Sequence, residues 1–512
     1  MLSMKVNSIL KAIIKSMFAC VATFFLGITA NAQVKTLAVA IDASKTYQTI
    51  ENFGASDAWA GQFIGNWPDS KKNSIADLLF SNAVSKDGSP KGIGLSLWRF
   101  NIGAGTTPQG SASGIRDEWK RTESFLNADG TYNWSKQSGQ MWFLKAAKER
   151  GVKQFLGFSN SPPINYTLNG KGYSNDGKVN IAKTHYDDFA AYLSNVVSGI
   201  HKATKISLDY ISPVNEPQWD WKDGGQEGCP YTNEEIYGIV KSIDKAFTTN
   251  NIKSKIIIAE AGKIDYLYSK ADKSTRGMQI ADFFKSQSAK YVGNLPHVAN
   301  IITAHSYFTT SPQSALTKGR LALADSIAAI PGLNFWQSEY CILGDNAGEI
   351  KGNGRDLGMD AALYVAKVIH NDLTIANATA WQWWLAISPY DYKDGLIYVD
   401  KNKTDGNYYP SKMLWALGNY SRFIKPGAVR IGLKILDELP GTVMISAYKH
   451  KNQLTLVVIN TGNEAYNLNV EHMRVNDVYE TTAQTNLTIN KPKTQQVLIN
   501  SRSVVTLTGS NR

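Results

Sequence analysis

Two short segments hold the residues best suited to chemistry: Ser212-Pro213-Val214-Asn215-Glu216-Pro217 and Gln337-Ser338-Glu339-Tyr340. Each brings a glutamate to the end of an apolar run. Set between Asn and Pro, Glu216 sits on a stiff turn, with an amide beside it that can bond a hydroxyl. Two carboxyls about 5–5.5 Å apart across a cleft are what double-displacement hydrolysis of a glycoside requires. One attacks the anomeric carbon; the other, kept protonated by burial and a negative neighbour, protonates the leaving oxygen. A single strand-end glutamate is more often one half of a structural ion pair, here with Arg99 or a lysine, so the reading rests on the two together. Glu260 is the rival carboxyl; without the Asn-before, Pro-after setting it takes a supporting role. Glu227, in the loop GGQEGC, reads as a solvated side chain, with substrate contact as the alternative.

The elements that must position these groups recur through the chain. Apolar runs at 51–56, 95–103, 155–163, 210–217, 256–262, 301–308, 335–341 and 378–386 alternate with amphipathic helical patterns such as 186–201 and 232–249. The second of these opens with Thr232 and has Glu235 three residues on, a capping box. Strands alternating with helices in this number predict an α/β fold, the (β/α)8 TIM barrel. A doubly wound open sheet competes, but no Gly-rich turn follows the first strand. Several runs end in polar residues: Arg99, Asn101, Asn160, Asn215, Glu216, Glu260, His305 and Glu339. In a barrel this carboxyl-end rim is where active sites lie. After Tyr420 the texture becomes short β-rich runs with turns, predicting a small side β-sandwich formed by the C-terminal region plus an N-terminal strand around 34–42. The expected organisation is a signal peptide at 1–32, a strand segment at 33–50, the catalytic barrel at 51–422 and the sandwich at 423–512.

Aromatic residues flank the rim. Alternation sends Trp381 and Trp383 to one face of the eighth strand and Gln382 and Trp384 to the other; Trp384 is the residue assigned to the floor of a sugar subsite. Trp219 and Trp221, just beyond Glu216, extend a platform for further sugars, with loop packing as the alternative. Asn160 and His305 are further rim candidates for substrate hydroxyls, and for His305 a satisfied structural histidine is the competing assignment. Tyr307 is placed to hydrogen-bond Glu339.

The segments ENFGASDAW (51–59), LSLWRFNIGAG (95–105), FSNSPP (158–163), SPVNEPQWDW (212–221) and FWQSEY (335–340) resemble glycoside hydrolase family 30 of clan A, and within it the endo-β-1,6-galactanase-like branch. Asn52 departs from the Gly that often precedes FGAS there. The resemblance runs from about residue 40 to the end and implies a retaining hydrolase of a polysaccharide's β-glycosidic bonds. It implies Glu216 as acid/base, Glu339 as nucleophile, Asn215 on the hydroxyl next to the reacting carbon, and Arg99 steadying the nucleophile. β-1,6-Glucanase, xylanase and exo-β-glycosidase activity remain open on the same fold.

Composition narrows the classes further. At 43% hydrophobic, the chain can bury a large core. The net charge of +11 is dispersed rather than gathered into a basic block, which argues against a nucleic-acid partner. Lysines before the apolar run 17–30, with Ala30-Asn31-Ala32 as a cleavage site, predict export to the periplasm or the exterior. No later run is long enough for a membrane span. Export makes a Cys229–Cys341 disulfide over the strand-four loop possible; two buried free thiols are the alternative. No metal-ligand or nucleotide motif is present, so no cofactor is expected. The chain is expected to act as a monomer, and a non-catalytic carbohydrate-binding protein is the function from a different class.

Overall fold

Eight parallel strands close into a barrel in the computed structural model: β1 (Asn52–Ser56), β2 (Leu97–Asn101), β3 (Gln154–Phe158), β4 (Tyr210–Ser212), β5 (Lys255–Ala261), β6 (Val298–His305), β7 (Asn334–Glu339) and β8 (Ala380–Ser388). The structure describes residues 34–492 and 494–511; the segment read as a signal peptide lies outside them. Closure is made by β8, which pairs with β1 at Asn52↔Ala380 and with β7 at Trp336↔Ala380. These strands are largely apolar apart from their ends and the site residues, because both faces are covered, the inner by the barrel's own side chains and the outer by helices. In β8 every residue is buried. Trp381 and Trp383 face outward, where their indole N–H groups donate to Asp372 (2.9 Å) and to the Asp394 carbonyl (2.7 Å).

The helix Asn233–Thr249 carries the expected capping box: Thr232 and Glu235 each bond the other's backbone N–H. It packs beside Tyr186–Thr204 on the outer face of the barrel. Two strands absent from the sequence reading, Gly395–Val399 and Tyr408–Pro410, extend the sheet outward from β8. Their runs are too short to separate from loop by pattern.

Register shifts cluster at the carboxyl ends. Ala55 pairs with Trp383 and Ser56 with Leu385, so Trp384 is an extra residue in β8. Ala304 pairs with Gln337 and His305 with Glu339, which makes Ser338 extra in β7. A third shift falls between Ile258 and Ala261, bracketing Glu260. An inserted residue bends its strand and re-aims the side chains around it. All three lie where the candidate chemistry sits.

The remaining strands form a nine-stranded sheet, in the order Thr488–Asn490, Met473–Thr481, Ser503–Asn511, Gln453–Asn460, Val443–His450, Val429–Ile435, Thr36–Thr49, Tyr466–Glu471, Gln496–Ile499. Met473 and Val475 near one end share a core with Leu468, Val497 and Ile499 at the other, so the sheet folds over itself as a sandwich. The N-terminal strand is integral, with Val39 opposite Ile435 and Ile41 opposite Leu433. The helix Lys412–Ser421 joins the two layers: Asn419 donates to Thr481 (2.9 Å) and its carbonyl accepts from Thr506 (2.7 Å).

Candidate active site

Glu216 leaves the end of β4 in the left-handed backbone region, with φ of 43°. That region is costly for a side-chain-bearing residue and is kept where the surroundings over-determine it. Here they do. The Glu216 N–H donates to the Glu260 carbonyl (2.8 Å), and its own carbonyl accepts from Trp219 N–H (3.1 Å) and from the Trp221 indole (3.0 Å). Glu260 is left-handed as well, at 49°. The carboxyl of Glu216 is thereby aimed across the barrel mouth at Glu339. One oxygen of each, together with a ring nitrogen of His305, lies within 4.8 Å of the others.

Glu339 is held at both oxygens. Arg99 Nη1 donates to one at 3.0 Å, and the Tyr307 hydroxyl donates to the other at 3.0 Å. Arg99 is fully buried and lies 4.5 Å over the Phe158 ring. Beneath the pair, His305 bridges Glu216 Oε1 and Glu260 Oε2, each at 2.9 Å, with Glu339 3.5 Å away. Ser338, the extra residue of β7, donates to Glu260 at 2.8 Å.

Burial disfavours charge in all these groups, so their ionisation depends on one another. For His305, burial works against the imidazolium, but Glu339, Glu216 and Glu260 outweigh it and push its pKa up to about 10. Burial would raise Glu260, yet His305, Arg99 and Ser338 hold it below its usual value. Glu339 is raised by burial, with His305 and Arg99 pulling the other way. Two cations, Arg99 and the protonated His305, thus face the carboxyls of Glu260 and Glu339. The trio Glu216, His305 and Glu339 has the spacing of a cation site. A protonated imidazole that spends both nitrogens on carboxylates is no metal ligand.

A cavity of about 320 Å³ opens over the pair, lined by Asn215, Glu216, Trp219, Gln226, Tyr307, Phe308, Glu339, Leu343 and Trp384. Asn215, Trp219, Tyr307 and Trp384, all named from the sequence, are among them. Asn215 Oδ1 is buried without a protein partner. Trp219 crosses Gly262 so closely that a Cβ there would lie 2.5 Å from its indole nitrogen.

Four expectations are corrected. His305 is not among the residues lining the cavity; it lies beneath the carboxylates, as does Arg99, whose bond to Glu339 is the contact the resemblance implies. Asn160 is buried at the end of β3 with both amide atoms unpartnered, but it does not line the cavity. Glu227 is neither solvated nor in the cavity: it accepts from Thr106, Thr122 and the Ala104 N–H, which clamps its loop to the one after β2. Cys229 and Cys341 are free, buried thiols. Cys229 accepts from Asn180 N–H at 3.3 Å and Cys341 lies 3.9 Å from the Tyr307 hydroxyl, so each sulfur is packed into its own surroundings. Gln226, Phe308 and Leu343 were not anticipated. Phe308 follows Tyr307 directly, which was the one available cue; an exposed phenylalanine with φ of 58° leaves no periodic pattern.

The family model described as O-glycosyl hydrolase family 30 matches residues 36–398, and that for the glycosyl hydrolase family 30 beta sandwich domain matches 427–507. An endo-β-1,6-galactanase of Hypocrea rufa is 24% identical over 448 residues, 82% of this chain and 81% of that protein. Among solved structures, a conserved exported protein from Bacteroides fragilis is 35% identical, with a TM-score of 0.86 over 92% of this chain and 100% of that one. The catalytic domain of a family 30 xylanase from Talaromyces cellulolyticus has a TM-score of 0.66 at 19% identity, over 93% and 100% of the two chains.

Proposed function

The chain belongs to glycoside hydrolase family 30, and for this glycoside hydrolase we propose internal cleavage of β-1,6-galactan by double displacement, with Glu339 as nucleophile and Glu216 as acid/base. The observation that carries the proposal is the close pair of carboxyls with unequal surroundings, Glu339 on a guanidinium and a phenol, Glu216 on a histidine. Oxygens within 4.8 Å of each other fit the short separation of retaining enzymes and leave no room for a water between carboxylate and sugar.

In the first step a lone pair of Glu339 forms a bond to the anomeric carbon as the glycosidic bond breaks, and a proton passes from the Glu216 carboxyl to the leaving oxygen. Arg99 and Tyr307 keep Glu339 in line for attack. Asn215 receives the hydroxyl next to the reacting carbon. In the second step Glu216, now a carboxylate, takes a proton from water while that water displaces Glu339. His305 stays protonated throughout and holds Glu216 in place for both transfers.

The galactan assignment is supported by the match to the Hypocrea rufa enzyme. We read the protein as exported, from its N-terminal pattern and from the name of the Bacteroides fragilis relative. No described helix is long and apolar enough to cross a membrane. The boundaries at residues 32, 50 and 422 belong to the same proposal. A panel of β-1,6-galactan, β-1,6-glucan and β-1,4-xylan, with product sizes followed over time, tests it. Mixed oligomers released early from galactan are expected; monosaccharide alone, or preference for another polymer, would overturn the substrate assignment.

A further inference from the structure

A second cavity lies at the amino ends of β2 and β3, the end of the barrel away from Glu216 and Glu339. Its volume is about 560 Å³, and its walls include Asn82, Leu95, Lys153, Gln154, Lys425 and Pro426. Lys425 follows the helix Lys412–Ser421 and is half-buried. Its ammonium donates to Asn82 Oδ1 at 3.0 Å, and Arg422 donates to the same oxygen at 3.1 Å. Gly94 makes room for this crossing: its φ is 60°, and a Cβ there would lie 2.9 Å from Asn82 Oδ1. Arg422 is otherwise spent on backbone carbonyls, those of Ser81 and Asn82 among them. Lys425 has Asn82 as its one protein acceptor among the described residues. The Gln154 side chain faces the same space with its Oε1 buried and unpartnered.

Among the described residues no carboxylate oxygen lies within 4.0 Å of Lys153, Arg422 or Lys425. The contrast is local, because Arg150 beside this wall has its acid, Asp77, at 2.6 Å. Burial and the Arg422 charge together push the Lys425 pKa down to about 8. Residues at this end of a barrel ordinarily serve stability. Two cations on one neutral amide oxygen do the opposite, since like charges repel and no acid relieves them. What the cluster lacks is an anion. A half-turn of the Gln154 amide would bring its NH2 to the same anion as a further donor. The size of the cavity, and Leu95 and Pro426 in its wall, leave space beside the charge for an organic body on the scale of a hexose.

We propose that this cavity is a binding site for a small organic oxyanion, a carboxylate or a phosphate ester, held by the Lys425 ammonium and the Gln154 amide within the positive field of Arg422 and Lys153. The site is separate from the catalytic pair, and the full wild-type chain tests it. Calorimetric titration is made with gluconate, glucose 6-phosphate, inorganic phosphate and glucose. At least one of the two organic anions is expected to bind about 10-fold or more tightly than glucose, the range of charge-assisted hydrogen bonds. The tighter one names the carboxylate or the phosphate ester. Lys425→Gln keeps a donor for Asn82 but removes the charge, and it should abolish that preference with circular dichroism unchanged. Labelling of the wild type with acetic anhydride, mapped by mass spectrometry, gives a readout that needs no variant. Saturating anion should slow acetylation of Lys425 about 10-fold and leave the exposed Lys451 unaffected. Equal affinity for glucose and the anions, inorganic phosphate binding as tightly as the organic anions, a preference that survives Lys425→Gln, or Lys425 labelling unchanged by the anion overturns the inference.

Discussion

At the scale of single residues, Glu216 and Glu339 differ in what holds each oxygen, and the proposed roles follow from that difference. Replacing Glu339 by Gln removes the atom that forms the glycosyl ester, and turnover should fall on the order of 10⁴-fold or more with the fold retained, as circular dichroism and kcat would show. Glu216→Ala should behave differently: it should keep activity on aryl glycosides whose leaving group needs no proton, and azide should restore it by attacking the ester. Azide rescue of the Glu339 variant instead would exchange the two roles. His305 adds a dependence on pH. Its folded pKa, about 10, exceeds the unfolded value of about 6.5. Its contribution to stability is therefore complete below pH 6.5 and lost as pH rises towards 10, at up to about 1.4 kcal/mol per pH unit. Urea unfolding of the wild type against His305→Gln should show a gap that is widest near pH 6 and shrinks by pH 10. A gap independent of pH would mean that His305 acts by packing alone.

At the scale of elements, the inserted residues of β7 and β8 and the clamped loop after β4 do the positioning. Glu227→Gln places an amide NH2 against the Ala104 N–H and two hydroxyls that need an acceptor, so about 1–3 kcal/mol of stability should be lost. The freed loop carries Gln226, and KM for galactan should rise more than kcat falls. Because Cys229 and Cys341 are free, a reductant should leave the melting temperature unchanged, and alkylation after unfolding without reduction should label both. The eight barrel strands were legible in the sequence because doubly buried parallel strands are largely apolar runs, and Glu216 stood out as a candidate because Asn and Pro mark its turn. The bulges were not. One extra residue changes neither composition nor run length, yet it decides that Trp384 enters the cavity and that Ser338 reaches Glu260. The same limit applied to Arg99 and His305: their place at the rim could be read, but depth below the surface has no sequence signature. The cysteines lie on the same rim in sequence terms, which said nothing about where each sulfur is packed.

At the scale of the molecule, barrel and sandwich are tied through both chain ends. The strand Thr36–Thr49 lies inside the nine-stranded sheet rather than at its edge, and Arg430 donates to Gln48 (2.9 Å) and Asn377 (2.7 Å) where the layers meet. A chain beginning at residue 51 would lack Val39 and Ile41 and split that sheet, exposing the core residues they cover, such as Leu456 and Leu468. It should be recovered, if at all, with a lower melting temperature or as aggregate, while one beginning at residue 34 should unfold as the full chain does. The whole assembly serves a single stereochemical outcome, since two displacements at one carbon restore its configuration. Proton NMR of the first product released from β-1,6-galactan, recorded before mutarotation, tests this most directly. Double displacement gives a β-anomer signal that appears first and then equilibrates; an initial α-anomer would contradict that mechanism.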